Sequence, residues 1–561
     1  MKQLPPLLPR TRPALAEAKS APSPLEQDIK EIRVETDRYV ALFTNRGARL
    51  KSFTLKQYRA SADEKSPAFE MIPSTPGMPY PLGLHTQGPA PFNDEELIYS
   101  IKGSDLRLTG DAKGTLVFEG RIPSGERWIK QFTFTGSGYP IGLELSFDGT
   151  DGGGVPSLFL TSQGKGSSPD AVFEGLLALV GSKLTREVGD GLANGTKLSG
   201  PVSWAGFGYT YFLFALLPED GGEREVALRP AQVSQELESL PAQVQFPQSF
   251  KGRIEHDAAK RILIFRGLMS EAEKDELLNL SQDQSYRSAI DALYRRSHVV
   301  VGIRDQSEKG SGKSRHTLFI GPKDLDILKA LGKELERSID FGYFAFVSMP
   351  LLYLMRFSHR FTASYGIDII FLTVIMKLLT APLTHKSFVS MKRMQKLQPQ
   401  MERIKEKFKD DREKLNKEIM ELYRRNKVNP LGGCLPMLLQ FPVFIGLYNA
   451  LLTPIELRHA PFMWIKDLSQ PDWKSLPFSV PDWLGGQLGF PVLTLLMGAS
   501  MFVQQWMTPT AGDPNQRRMM LMMPVIFTAM FITFPAGLTI YWLVNNVLSI
   551  AQQYLINRMD H

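Results

Sequence analysis

Hydrophobic residues along this chain change their spacing near residue 341. From about Asp28 to Arg337 they recur at every second position in short runs, as at Ile141, Leu143, Leu145 and Phe147. Val40 and Leu42 do the same ahead of the turn-like Asn45-Arg46-Gly47. A period of two is the mark of strands with one buried face. Gly-rich breaks such as Asp151 to Gly154 separate the runs. The pattern predicts a β-sandwich over residues 28–337, roughly 300 residues, with helical segments near Ser270–Leu280 and Pro322–Ser338.

Beyond Phe341 the runs become long and continuously apolar. Five of them, about 366–383, 432–452, 488–507, 519–534 and 536–554, have the length needed to cross a hydrocarbon core of ~30 Å. The predicted fold class is therefore a multidomain membrane protein: a β-sandwich followed by an α-helical core of five spans, residues 361–558. A sixth run, Phe341 to Phe357, is broken by Pro350 and followed by Arg356, His359 and Arg360. Residues 341–360 are expected to form an amphipathic helix lying in the interface.

Loop charge sets the orientation. Residues His385 to Lys427 hold fourteen Lys or Arg against seven Asp or Glu, which marks a cytoplasmic segment. Within it Phe388, Met391, Met394, Leu397, Met401, Ile404 and Phe408 recur every three or four residues, and Leu415, Ile419 and Leu422 continue after Asp410-Asp411. This predicts a helical hairpin over 385–427, with Asp410 and Glu413 as a capping box. Its Lys392, Arg393, Lys396 and Arg403 are candidate contacts for a ribosome, anionic lipid or arriving substrate. Thr453 to Gln487 carries three Lys or Arg, four Asp or Glu, and Trp464, Trp473 and Trp483, and so belongs outside. With Arg517, Arg518 and Arg558 inside, five spans result, starting outside and ending in the cytoplasm. The β-domain then also lies outside the cytoplasm.

Residues 1–27 are rich in Pro, Ala and Ser without apolar periodicity and are expected to be a flexible linker. A folded domain outside the cytoplasm needs an export signal ahead of it, and these residues hold none. An N-terminal helix upstream of this start is expected.

Candidate chemistry is sparse. The single Cys434 excludes an intramolecular disulfide and a multi-cysteine metal site, and the eight histidines show no HExxH spacing. No metal, cofactor or small-molecule substrate is expected. No acid pair or His/Asp constellation stands out in the β-domain, and no internal repeat suggests a transporter. Enzyme chemistry is not expected.

Lys377 sits near the middle of the first span, where an ammonium costs about 2.5 to 3.5 kcal/mol on insertion scales. It is expected to face a wet cavity. Gln440, Gln504, Gln505, Asn545 and Asn546 are polar residues on other runs that could line the same groove or bond helix to helix. Eight methionines between Met497 and Met530 offer an adaptable apolar surface, although core filling explains them nearly as well.

Val428-Asn429-Pro430-Leu431-Gly432-Gly433-Cys434-Leu435-Pro436 closely resembles the signature entering the second conserved span of the YidC/Oxa/Alb family of membrane insertases. Ala381-Pro382-Leu383-Thr384, Glu456-Leu457-Arg458, Met523-Pro524-Val525-Ile526-Phe527 and Phe534-Pro535-Ala536-Gly537-Leu538 match in the same order. The part ahead of the core, including Gly321-Pro322-Lys323-Asp324-Leu325, is similar to the periplasmic domain of Gram-negative members. The resemblance implies a multi-pass protein of the bacterial inner membrane with a five-helix core. Its hydrophilic groove would be open to cytoplasm and lipid and closed outside. It places the groove cation on Lys377, a substrate-contacting threonine on Thr373 and an aromatic pair on Tyr541 and Trp542. It also implies work on nascent membrane proteins, alone or beside the Sec translocon. Gram-negative members begin with a transmembrane helix, which these residues lack.

Overall fold

The computed structural model describes residues 28–559 apart from 75–76, 87–90, 149–155, 163–171, 189–191, 193, 306–311, 410, 427, 429–434, 476–488 and 509–513. Strands fill the chain up to Pro322, and helices dominate from Ala345 onward.

Period-two burial is visible strand by strand. In Ile141–Asp148 the residues Ile141, Leu143, Leu145 and Phe147 are buried while their neighbours are half-exposed. Strand Tyr39–Thr44 alternates in the opposite phase from the one expected: Tyr39, Ala41 and Phe43 face the core, and Val40 and Leu42 turn outward. The aromatic residues set the phase, because Phe43 meets Phe118, Phe132 and Phe134 with ring centroids 6.3, 4.8 and 5.7 Å away. These contacts pack a five-stranded sheet against a thirteen-stranded one. The long strand Thr196–Tyr209 ties the larger sheet together: Thr196 to Pro201 pair with strand Glu223–Pro230, and Ala205 to Gly208 with Phe212–Pro218.

Buried basic side chains mark this domain, among them Lys130, Arg224 and His316. Lys130 donates to the carbonyls of Gly47 and Leu82 at 2.7 and 2.8 Å and lies 2.7 Å from the Asp94 carboxylate. Burial lowers its pKa to about 8. The Arg224 guanidinium is closed over by the Asp220 side chain and the Gly222 carbonyl. His316 is fully buried with its Nε2 2.8 Å from Ser314 Oγ, and burial pulls its pKa down to about 4, with Arg224 acting in the same direction.

A small second core sits on the three-stranded sheet formed by Gln232–Glu236, Ile262–Arg266 and Ile254–Asp257. Two helices cover it, α1 (Glu271–Leu278) and α2 (Gln284–Arg296). A full capping box, Ser270 with Glu273, starts α1. Helix α2, which the sequence reading did not place, is capped by Asp283 and buries Tyr286, Ala289, Ile290 and Leu293 on one stripe. Helix α3 (Leu325–Leu331) starts on the Asp324 cap.

The helical region comprises α4 (Ala345–Thr362), α5 (Tyr365–Lys396), α6 (Gln398–Lys407), α7 (Arg412–Arg425), α8 (Leu435–Leu452), α9 (Val492–Met507), α10 (Pro514–Phe531) and α11 (Ala536–Met559). Helix α5 runs straight through Pro382, where the first apolar run was expected to stop, and enters the basic segment. Pro382 removes the amide that would bond the Leu378 carbonyl, and the helix continues past it, with the Thr380 and Thr384 hydroxyls on the Met376 and Thr380 carbonyls at 2.9 Å. Helices α6 and α7 pair, with the Tyr423 hydroxyl 3.1 Å from Met401 Sδ. The cap of α7 is Asp411, whose side chain accepts from the Lys414 N–H at 3.1 Å. The expected cap, Asp410, lies outside the described residues. In the bundle α11 packs against α5, α8 and α9, and α4 against α5 and α8.

By length and composition, α5 alone among the described helices passes as a membrane span. Shorter apolar stretches are Gln440–Leu452, Val492–Met507 and Leu521–Phe531.

Candidate functional site

Helix α11 carries a polar stripe at four-residue spacing through an otherwise apolar bundle. Lys377, half-buried on α5, donates to Ser549 Oγ at 2.6 Å. Ser549 is buried and donates in turn to the Asn545 carbonyl at 2.7 Å. One turn on, Gln552 Nε2 donates to the Ala381 carbonyl at 3.1 Å, and Gln553 Nε2 to the Met507 carbonyl at 2.6 Å. Asn546 faces the other neighbour and donates to Ser500 Oγ at 3.0 Å. Each bond satisfies a polar group that an apolar surround would otherwise penalise by about 1–3 kcal/mol. The ammonium of Lys377 has only this neutral partner among the described residues.

The other expected groove residues divide. Thr373 is buried on the same helix, and its hydroxyl donates to the Ile369 carbonyl at 2.6 Å. Tyr541 is buried and hydrogen-bonds the Gln440 side chain, which joins α11 to α8. Trp542 sits in an aromatic cluster, with Phe444 and Phe531 each 5.1 Å away and Phe527 at 6.1 Å. Gln505, half-buried near the end of α9, has no side-chain partner among the described residues. On the hairpin Lys392 is half-buried, and Arg393, Lys396 and Arg403 are exposed. The segment Asn429 to Cys434, which carries most of the signature motif, lies outside the described residues.

The sequence reading missed Ser549. The spacing Tyr541, Asn545, Ser549, Gln553 would have revealed it as the fourth-residue continuation of the polar face. The same reading placed Asp368 near the outer end of the span, more than two turns from Lys377, and gave it no role. This fully buried carboxylate on α5 accepts from Ser358 and Thr362 hydroxyls at 2.6 Å each and sits 2.7 Å from His359 Nδ1. All three partners lie on α4, so a single carboxylate fastens that helix to the bundle. His359 also stacks on Tyr365 at 3.7 Å.

Contacts between the β-rich domain and the helices converge on the Glu456-Leu457-Arg458 motif. The Arg458 guanidinium lies between the rings of Phe69 and Phe212, at 5.3 and 5.4 Å, and donates to the Arg59 carbonyl at 2.8 Å. Arg356 bridges Asp326 and Glu456. A β-rich domain pinned to a bundle of apolar helices, with one ammonium inside the bundle, defines a helical membrane protein with a large water-exposed domain.

Comparison with known proteins narrows this class. The model of the 60Kd inner membrane protein family matches residues 357–561, and that of the YidC periplasmic domain matches 31–252 and 286–354. The unmatched stretch between them, 253–285, falls within the small second core. The chain is 38% identical over 554 residues to the membrane protein insertase YidC of Pelobacter propionicus, covering 96% of this chain and 89% of the relative. It is 37% identical over 552 residues to that of Geobacter metallireducens, covering 96% and 88%. A crystal structure of an active YidC insertase with its first transmembrane domain resolved aligns over 94% of this chain and 92% of its own, at 18% identity and a TM-score of 0.36. The chain belongs to the YidC family of membrane protein insertases of the inner membrane, with an N-terminal periplasmic domain.

Proposed function

We propose that helices α5, α8, α9, α10 and α11 form five spans around a water-accessible groove that moves polar tails of nascent membrane proteins toward the periplasm. The observation that carries this reading is the Lys377 ammonium, held inside the bundle by a neutral hydroxyl at 2.6 Å. A cation without a carboxylate among the described residues attracts acidic segments of passing chains, whereas a structural ion pair would not.

Thr373, Gln440, Gln505, Tyr541, Trp542 and Asn545 line or support this groove. The client's apolar segment slides past the methionine-rich helices into lipid. That transfer gains about 25 cal/mol per Å² of apolar surface removed from water. The barrier for the polar tail is short: sixteen residues of α9 rise about 24 Å against a hydrocarbon core of ~30 Å. No nucleotide or chemical step is required.

Helix α4 lies in the outer interface. Its buried stripe includes Leu351, Leu352 and Met355, and Phe346, Phe357 and Phe361 remain exposed for lipid. The hairpin of α6 and α7, and the C-terminus, are cytoplasmic. Lys392, Arg393, Lys396 and Arg403 meet the ribosome or anionic lipid there. Larger clients are handled beside the Sec translocon.

Photocrosslinking from Thr373 and Trp542 to stalled nascent membrane proteins tests the groove. Crosslinks to the client's polar flank from both positions are expected, and their absence from both with an inserting client overturns the reading.

A further inference from the structure

The β-rich domain contains a cavity of about 720 Å³ between the five-stranded sheet and the small second core, far in sequence from Lys377. That is ample for several side chains of an extended ligand.

Two cations in its wall lack a full counter-charge. Arg49 is buried, with its Nη2 3.1 Å from Asp94 Oδ1. Lys130 claims the same carboxylate at 2.7 Å, so one anion serves two cations. The remaining Arg49 bonds go to neutral acceptors, Asn93 Oδ1 at 3.0 Å and the Tyr80 carbonyl at 3.2 Å, and its Nε has no partner. On the facing wall Arg296, at the end of α2, bonds only neutral oxygens among the described residues: the Ser234 carbonyl at 2.7 Å, Gln235 Oε1 at 2.6 Å and the Ala292 carbonyl at 3.4 Å. Of the two carboxylates lining the cavity, Glu31 is taken by Lys51, and Glu95 is turned to Asn93 Nδ2 at 3.4 Å. Burial of surplus positive charge is unfavourable until an anion enters beside it.

The cavity is also bordered by Gln232, Val233 and Ser234. These belong to the strand Gln232–Glu236, which among the described residues pairs only with Ile262–Arg266 and is an edge of its three-stranded sheet. Arg296 already takes the Ser234 carbonyl of this edge, and the backbone groups left on an edge strand can align an extended chain. Met78, Pro79 and Val233 supply apolar surface beside it.

We propose that this cavity binds an extended acidic polypeptide segment, with Arg296 and Arg49 taking its carboxylates and the strand edge Gln232–Ser234 aligning its backbone. Burial lowers the pKa of the neighbouring Lys130 to about 8, with Asp94 opposing the shift and Arg49 adding to it.

The test uses the full chain in nanodiscs of zwitterionic lipid, with fluorescence anisotropy of a labelled peptide alternating Val and Glu, and of its Val/Gln counterpart. The Gln peptide should bind about tenfold or more weakly, the scale of one charge-assisted hydrogen bond. Arg296→Gln should remove much of the preference for the Glu peptide, Arg49 keeping the rest, and Arg296→Lys should retain most of the affinity. Arg296 is half-buried at a helix end, and an unchanged unfolding temperature will show that the variant is folded. Equal affinity for the two peptides, or no effect of Arg296→Gln in a folded variant, overturns the proposal. So does complete displacement of the Glu peptide by equimolar inorganic phosphate, which would make the site one for small anions.

Discussion

Replacing Lys377 by Met should make the protein more stable and less active at once. Met has a similar length and removes only the ammonium. A cation at this depth costs about 2.5 to 3.5 kcal/mol on insertion scales. The hydrogen bond to Ser549 returns about 1.5 to 3 kcal/mol as a bond made by a charged donor. Its loss also strands little, because the Ser549 hydroxyl keeps the Asn545 carbonyl as its acceptor. The balance favours Lys377→Met by roughly 1 kcal/mol, a rise of a few degrees in unfolding temperature for the helical region. Insertion of a small client with an acidic translocated tail should fall at least tenfold in proteoliposomes, while Lys377→Arg should keep most of it. Thermal unfolding in nanodiscs and protease protection of the client tail measure the two effects. A Lys377→Met variant that inserts such a client at the wild-type rate would refute the role given to the charge.

Other expectations follow from groups outside the groove. Arg458→Ala removes a guanidinium held between Phe69 and Phe212. It should loosen the β-rich domain from the bundle, read as faster hydrogen exchange in both partners around Arg59 and Phe212, and unchanged exchange would show that the docking rests elsewhere. Asp368→Asn weakens bonds to Ser358, His359 and Thr362. Helix α4 should then become sensitive to proteolysis, at a cost of about 2 kcal/mol or more. His316 has a folded pKa near 4 against a usual 6.5, so between these values the unfolded chain binds a proton that the folded one does not. Stability of the β-rich domain should therefore fall as pH drops from 6.5 to 4, by up to about 3 kcal/mol. The slope should become shallower in His316→Gln, with the lowered His298 and His85 leaving a remainder, when unfolding is followed by fluorescence of the buried Trp128 and Trp204.

Patterns repeated along the chain were legible; features that depend on distant partners were not. Period two at Ile141 to Phe147 marked a strand because one sheet face is buried throughout its length. The same logic failed in phase at Val40 and Leu42, where the choice between faces was made by Phe118, Phe132 and Phe134 about 80 to 90 positions later. Pro382 suggested an ending to the first apolar run, but the helix continues through it. Helix α2 was readable from Tyr286, Ala289, Ile290 and Leu293 and was overlooked among strands. At the site, Lys377 stood out because charge is rare in apolar runs. Ser549 did not, since a hydroxyl gains meaning only once the fold brings it to the ammonium. The pairing of Arg458 with Arg59 spans 399 positions, and no local pattern could have announced it.

Helix α5 has thirty-two residues, about 48 Å at 1.5 Å per residue, and it holds Lys377 at one level and Lys392, Arg393 and Lys396 at another. No loop separates them. A load on the basic end would reach the depth of Lys377 through that one helix, with Pro382, which lacks a backbone donor, as its softest point.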